Sequence, residues 1–411
     1  MRRVVITGLG VVSAIGNSVE EFWNNIEAGK HGITEITRFD TSEFPVKVAA
    51  EVKNFNPEHS LSHQELKRTD RYTQYAIEAA YQAMQDTGTD FSDLDPFRVG
   101  VVVGSGIGGI ETFQDGYDTM VNKGIRRVSP LFIPMLIANM ASGMIAMKYG
   151  FKGMNFAPVS ACASSAHALG EAFRAIKHGY IDVALAGGSE AVETPIALTG
   201  FNNMMATTKV DNPDRASIPF DAERSGFVLG EGSAVLVLEE LEHALARGAK
   251  IYAELAGYGA TADAYHITSP DPSGEAASMA MQLAYKEAGA EAKDVDYINA
   301  HGTSTPINDK YETGAIKDAL GEYGKTVAVS STKSMTGHLL GGAGATEAVI
   351  CAKAIEQGVL PPNVGLQNPD PECDLNIVKT AEKADINVAL SNSYGFGGQN
   401  ASLCFKAYKN N

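Results

Sequence analysis

The stretch Ala175-Ile176-Lys177-His178-Gly179 returns in altered form as Ala354-Ile355-Glu356-Gln357-Gly358. Both read as the last turn of a helix stopped by glycine, the residue that enters the left-handed conformation of a helix C-terminus without a Cβ penalty. Upstream of each lie an apolar strand, a serine-rich turn and a Gly/Ala-rich segment. The spacing between the echoes differs, so insertions lie between them. The reading is two diverged α/β halves, residues 1–250 and 251–411, joined near Glu239–Lys250.

The rest of the chain follows the same order. Tyr72, Ala76, Ala79, Ala80, Ala83 and Met84 recur at helical spacing before Gly88, and Arg98-Val99-Gly100-Val101-Val102-Val103 reads as a buried strand. Met279, Leu283 and Ala284, then Gly289 and Val295-Asp296-Tyr297-Ile298, repeat that pattern. Apolar runs alternating with helices imply mixed or parallel sheets covered by helices. Gly341-Gly342-Ala343-Gly344-Ala345 is too small-faced for a surface helix and suits a layer packed between two sheets.

Composition narrows the function. The 411 residues are 44% hydrophobic and 20% charged, enough to bury a large core and to exclude global disorder. Lys and Arg number 33 against 49 Asp and Glu, a net charge of −16, so nucleic acid is not a partner of the overall field. Four cysteines without a C-x-x-C pair make neither a disulfide framework nor a zinc knuckle. His59 and His63 could share a helix face, but no third ligand stands near, and a solvated helix start is the better reading. The opening Arg2-Arg3-Val4-Val5-Ile6-Thr7-Gly8-Leu9-Gly10 reads as a first strand before a capped helix at Ser18, not a signal peptide. No run is long enough to cross a membrane, so the expectation is a soluble cytoplasmic protein.

Of the 42 glycines, 12 lie in four stretches: 104–109, 302, 337–344 and 395–398. Gly104-Ser105-Gly106-Ile107-Gly108-Gly109 fits the dinucleotide pattern, but no strand ending in an acid follows, so a tight turn lining a pocket is the better account. In Pro158-Val159-Ser160-Ala161-Cys162-Ala163-Ser164-Ser165-Ala166-His167, Cys162 falls between a strand end and a helix start. Free backbone N–H groups and the helix dipole favour a thiolate there, whereas a buried structural thiol is the other reading of the same position. His167 falls inside the helix, where it packs or reaches solvent rather than serving as a base. His301 and His338 sit in Gly- and hydroxyl-rich turns after strands, and Gly395-Phe396-Gly397-Gly398 reads as a mobile loop carrying an aromatic. One nucleophile with two His-bearing loops suggests acyl transfer.

At these residues the chain resembles the condensing enzymes of the thiolase superfamily, in the branch that uses a Cys/His/His set. The resemblance runs from Val4-Val5-Ile6-Thr7-Gly8-Leu9-Gly10 through Ala161-Cys162-Ala163, His301-Gly302-Thr303-Ser304-Thr305 and Lys333-Ser334-Met335-Thr336-Gly337-His338 to Gly395-Phe396-Gly397-Gly398. It implies an α/β fold, a five-layered α-β-α-β-α sandwich of two duplicated halves, in a homodimer. It also implies an acyltransferase that elongates fatty acids by two carbons, through decarboxylative Claisen condensation of a malonyl thioester on acyl carrier protein. Cys162 would carry the acyl group, and its N–H with that of Phe396 would form the oxyanion hole. His301 and His338 would stabilise the enolate, with Lys333 in support. Thr303 and Thr305 would hold the pantetheine arm, Phe396 would act as a gate, and Ile107 would border the acyl pocket. Lys67, Arg68, Arg126 and Arg127 match the carrier-docking region, although Met205 stands where some relatives have a basic residue. Asn299, Glu347, Ser391 and Asn392 resemble a structural cation site. No cofactor is required, because the phosphopantetheine belongs to the carrier, and neither nucleic acid nor membrane is a partner. A polyketide-type ketosynthase would carry the same triad; a non-catalytic chain-length subunit would lack the nucleophile.

Overall fold

The computed structural model describes residues 1–409. Eleven strands form one sheet: β1 (Val4–Ser13), β2 (Val99–Gly104), β3 (Asn155–Phe156), β4 (Val183–Glu190), β5 (Gly232–Glu240), β6 (Ala253–Ala262), β7 (Tyr297–Asn299), β8 (Ala328–Ser330), β9 (Asn376–Ile377), β10 (Val388–Gly395) and β11 (Gln399–Lys406). The spatial order is β9-β8-β7-β10-β11-β6-β1-β5-β4-β2-β3. Outward from its centre the two sides repeat: β1-β5-β4-β2-β3 on one, β6-β11-β10-β7-β8 on the other. In each, the first two pairings are antiparallel and the next two parallel. Within the sheet the halves are paired through Val5↔Glu254 and Ile6↔Ala253. The two expected sheets are therefore continuous across a two-residue seam.

The layers follow from alternation along the strands. Val99, Val101 and Val103 of β2 and Val235 and Val237 of β5 face helix α1 (Arg71–Thr87). Val102 of β2 and Leu236 and Leu238 of β5 face the opposite side. That inner side is filled by α2 (Ser164–Lys177), and α5 (Ala343–Gln357) packs against α2 and both half-sheets. On the far side, α3 (Glu275–Glu287) covers β6, β11 and β10, and α4 (Pro306–Leu320) packs on α3. The outer helices sit unusually close to their strands. A Cβ at Gly10 would lie 1.8 Å from the Ala79 carbonyl oxygen, and one at Gly259 would lie 1.9 Å from that of Ala280. The same device thus recurs in both halves.

The Gly/Ala-rich helix is central as expected: a Cβ at Gly344 would meet the Cβ of Ala166 on α2 at 2.9 Å. Gly88 and Gly358 end α1 and α5 in the left-handed conformation. Ser18 caps the first helix, Val19–Glu27, by accepting from Glu21 N–H. Ser62 caps the short helix His63–Leu66, with exposed His63 at its start and His59 before it.

Candidate active site

Cys162 sits in a single 3₁₀ turn, Ala161–Ala163, that runs directly into α2. Ala161 has φ +50°, a conformation that costs a non-glycine residue on the order of 1–3 kcal/mol and persists only where neighbours hold it. The holding bonds are local. Ser160 N–H donates to Ser164 Oγ at 2.9 Å, and Ser164 Oγ donates to the Ala161 carbonyl at 2.7 Å. The hairpin between β10 and β11 presses on the same turn. A Cβ at Gly395 would lie 2.5 Å from the Ser160 carbonyl oxygen and 3.3 Å from Cys162 N. Glycine there lets the hairpin bring Phe396 N–H to the thiol, alongside the N–H of Cys162 itself.

One imidazole reaches this sulfur, and the other stands beside the first. His338 Nε2 lies 3.1 Å from Cys162 Sγ, and Leu340 N–H donates to His338 Nδ1 at 3.3 Å. With Nδ1 accepting, a neutral His338 carries its proton on Nε2, facing the sulfur. The His301 ring stands nearly perpendicular to that of His338, with centroids 5.4 Å apart. Its loop is fixed by Glu312 of α4, whose carboxyl accepts from His301 N–H at 2.8 Å and Gly302 N–H at 2.7 Å. Ser331 Oγ, from the other His-bearing loop, donates to the Gly302 carbonyl at 2.6 Å. A Cβ at Gly302 would strike the Ser331 side chain at 2.4 Å, so glycine permits this stitch.

Burial dominates the electrostatics. Both imidazoles are held well below the ordinary histidine range, first by burial and then by the Lys333 cation, so both are neutral hydrogen-bond donors. The Cys162 thiol is subject to both influences read from its position. Burial pushes it up to about 12, outweighing Lys333 and the two backbone N–H groups that favour the anion. Lys333 is 1% exposed and its ammonium meets the Glu347 carboxylate.

The other expected residues fall into three places. Ile107, Thr303, Thr305 and Phe396 line one cavity of ≈ 560 Å³ with Cys162, His301 and His338. The hydroxyls of Thr303 and Thr305 lie 3.0 Å apart, and Thr305 caps α4. Lys67, Arg68, Arg126 and Arg127 are exposed and away from the cavity lining. Within the suggested cation set, Asn299 Oδ1, Ser391 Oγ and Glu347 Oε2 are buried without a hydrogen-bond partner. Asn392 departs from that set, because its Oδ1 accepts from Ser402 Oγ and its Nδ2 donates to Glu312.

Some working residues escape a reading of motifs. The Gly-rich loop 104–109 is wrapped around Glu190, which accepts from Ser105 Oγ and from the N–H groups of Gly106, Ile107 and Gly341 at 2.8–3.2 Å. The protein's own carboxylate occupies amides that a dinucleotide phosphate would need, and the nucleotide reading fails on that ground. An acid closing the apolar strand β4 was the available signal for Glu190; nothing local marked Glu312. His167, set aside as a base, bonds Ser160 Oγ through Nδ1 at 2.6 Å and does not line the cavity.

Known proteins share this sequence pattern and fold. Residues 1–244 match the N-terminal domain of the beta-ketoacyl synthases, and residues 252–367 match the C-terminal domain. The chain is 50% identical over 410 residues to a 3-oxoacyl-[acyl-carrier-protein] synthase 2 of Synechocystis, with 99% of both chains covered. It is 51% identical over 409 residues to the protein of that name from Staphylococcus aureus, again with 99% of both covered. Among solved structures, a beta-ketoacyl synthase from Burkholderia phymatum superposes with a TM-score of 0.92 at 33% identity over 100% of both chains. A type II polyketide ketosynthase solved in complex with its acyl-carrier protein gives 0.91 at 36% identity, over 99% of this chain and 100% of that one. With both domains matched and half of its residues shared with full-length relatives, the chain belongs to the beta-ketoacyl synthase family.

Proposed function

We propose that the protein is a 3-oxoacyl-[acyl-carrier-protein] synthase that lengthens an acyl chain by two carbons. The observation that carries the reading is the contact of His338 Nε2 with Cys162 Sγ at 3.1 Å, with the His301 ring beside His338, two backbone N–H groups at the thiol, and all of them in one cavity.

The chemistry follows from that geometry. Cys162 attacks an acyl thioester on the carrier; the tetrahedral oxyanion is held by Cys162 N–H and Phe396 N–H, and the pantetheine thiol leaves with the proton. Burial raises the thiol's pKa, which favours loss of its proton as the C–S bond forms rather than beforehand. A malonyl thioester then binds. As its C–C bond breaks and CO₂ leaves, the electron pair delocalises onto the thioester oxygen, where His301 and His338 donate hydrogen bonds. The carbanion attacks the Cys162 thioester, and the sulfur departs as the new C–C bond forms. The two imidazoles act as neutral donors throughout, a role that burial enforces. Lys333, paired with Glu347, supplies the fixed charge that keeps them so.

Thr303 and Thr305 are placed to bond the amides of a pantetheine arm, and Ile107 borders the acyl chain. Exposed Lys67, Arg68, Arg126 and Arg127 are assigned to an acidic carrier protein, which a −16 enzyme can attract only locally. A homodimer is supported by helix Ile110–Lys123, which buries none of its own residues while exposing Phe113, Tyr117, Met120 and Val121, and by the uncovered edge strand β3. The three unpartnered oxygens of Asn299, Ser391 and Glu347 fit a structural cation. It would brace the β7–β10 strand pair and take no part in the reaction. Four free thiols and the proposed partner support a cytoplasmic location. Identity near 50% to the 3-oxoacyl-[acyl-carrier-protein] synthases, against 36% to the polyketide ketosynthase, favours fatty-acid over polyketide elongation.

The test is an elongation assay with acyl- and malonyl-loaded carrier proteins of varied acyl length. A product two carbons longer, with one CO₂ released per turn, supports the assignment; CO₂ release with no chain growth, or neither event, opposes it.

A further inference from the structure

His167 lies within α2, outside the cavity, and the mechanism above makes no use of it. Its surroundings are nevertheless specific. Nδ1 lies 2.6 Å from Ser160 Oγ, the hydroxyl two residues before the nucleophile. The backbone of Asn400, on β11 just past the hairpin that carries Phe396, also acts on the ring in the sense of a hydrogen-bond acceptor, favouring its protonated form. The ring stands edge-on to Tyr258, with centroids 6.1 Å apart. Tyr258 is pinned in turn: it lies against Gly170, where a Cβ would meet the ring at 2.5 Å, and Arg174 covers it at 4.4 Å. The imidazole therefore cannot turn freely.

The two N–H groups assigned to the oxyanion hole belong to different pieces of chain. One is Cys162 N–H, on the strained turn; the other is Phe396 N–H, on the hairpin. A hole made by two independent elements holds its spacing only if something ties them. We propose that His167 is that tie, a positioning residue that takes the Ser160 hydroxyl on Nδ1, gives Nε2–H to the Asn400 carbonyl, and so fixes the distance between the two oxyanion donors. The bonding requires a neutral ring with Nδ1 unprotonated, and burial lowers the His167 pKa in the sense that favours this form. The link continues outward. Asn400 Nδ2 donates to Asp263 Oδ1 at 2.7 Å, and Asp263 N–H donates to the Gly398 carbonyl at 2.8 Å, so the far end of the hairpin is anchored to the same strand. The proposal rests on the assignment of Cys162 and Phe396 as donors in acyl transfer.

Two reactions of one sulfur separate a positioning role from a merely structural one. Acyl transfer from a thioester passes through an oxyanion; alkylation by iodoacetamide, a displacement at saturated carbon, does not. Ser160→Ala removes one bond with little change of volume, and His167→Phe keeps the ring against Tyr258 but removes both nitrogens. In each, single-turnover transfer from acyl-loaded carrier protein to Cys162 falls by about tenfold or more, in line with the sensitivity of catalysis to small misplacements. Alkylation stays within about threefold, carrier half-saturation is unchanged, and the double variant loses no more than the worse single one, as expected for one shared bond. Parallel loss of transfer and alkylation, or no loss of either, overturns the proposal. A wild-type protein that alkylates but accepts no acyl group overturns the reading of the reaction and the proposal with it; variants that match an active wild type overturn the proposal alone.

Discussion

His338 Nε2 points its proton at Cys162 Sγ across 3.1 Å, because Leu340 N–H occupies the other ring nitrogen. This fixes His338 as a donor beside the nucleophile rather than the base that deprotonates it. His338→Ala and His301→Ala are therefore expected to cut malonyl decarboxylation by about 10²–10³-fold, the range seen when one oxyanion donor is removed. Acylation of Cys162 should fall far less. Loss of both steps to the same degree, measured by CO₂ release and intact mass, would contradict the donor assignment.

Gly395→Ala tests the contact between hairpin and nucleophile turn. Its Cβ meets backbone, the Ser160 carbonyl at 2.5 Å, so the hairpin must retreat and carry Phe396 N–H with it. Overpacking of this kind costs roughly 1–3 kcal/mol. The expected result is a modest fall in Tm with a much larger loss of acyl transfer; unchanged transfer would show that the hairpin N–H plays no part.

Burial pushes the Glu312 carboxyl up to about 7, against the opposing N–H groups of His301 and Gly302 and the Asn392 amide. A carboxyl with a raised folded-state pKa binds more protons folded than unfolded between about pH 4.5 and 7, so its contribution to stability falls as pH rises through that window. Glu312→Gln removes the titration. Melting curves from pH 5 to 8 should show wild type gaining on the variant as pH is lowered from 7 to 5. Parallel curves would place the carboxyl in its ordinary range.

Arg68, Arg126 and Arg127 are exposed, and their attraction to an acidic carrier is screened by salt. Replacing the three with Ala should raise the carrier KM at low salt, leave kcat near its original value and flatten the salt dependence. An unchanged KM at low salt would move the docking surface elsewhere on the enzyme.

The duplication was legible because each half repeats the same helix ending, and the order β1-β5-β4-β2-β3 against β6-β11-β10-β7-β8 is its structural counterpart. Cys162, His301 and His338 were legible from their Gly- and hydroxyl-rich settings. The continuity of the sheet was not, since it depends on two residue pairs at the seam with no local signature. Glu190 and Glu312 were not, because each acts on amides brought to it only by folding. The state of Cys162 was left open between thiolate and buried thiol for a similar reason. The helix dipole and nearby N–H groups can be read from order along the chain, whereas the depth of burial that opposes them comes from the assembled halves. His167 was read as packing or reaching solvent; its bond to Ser160 joins two residues of the same stretch, on either side of the Cys162 turn.

The central claim is that Cys162 carries the acyl chain. Incubation of the purified protein with acyl-loaded carrier protein, followed by intact-mass spectrometry, tests it directly. The wild type should gain the mass of one acyl group per chain, removable by hydroxylamine, and Cys162→Ala should gain none. An acyl adduct of equal yield on Cys162→Ala would contradict the account.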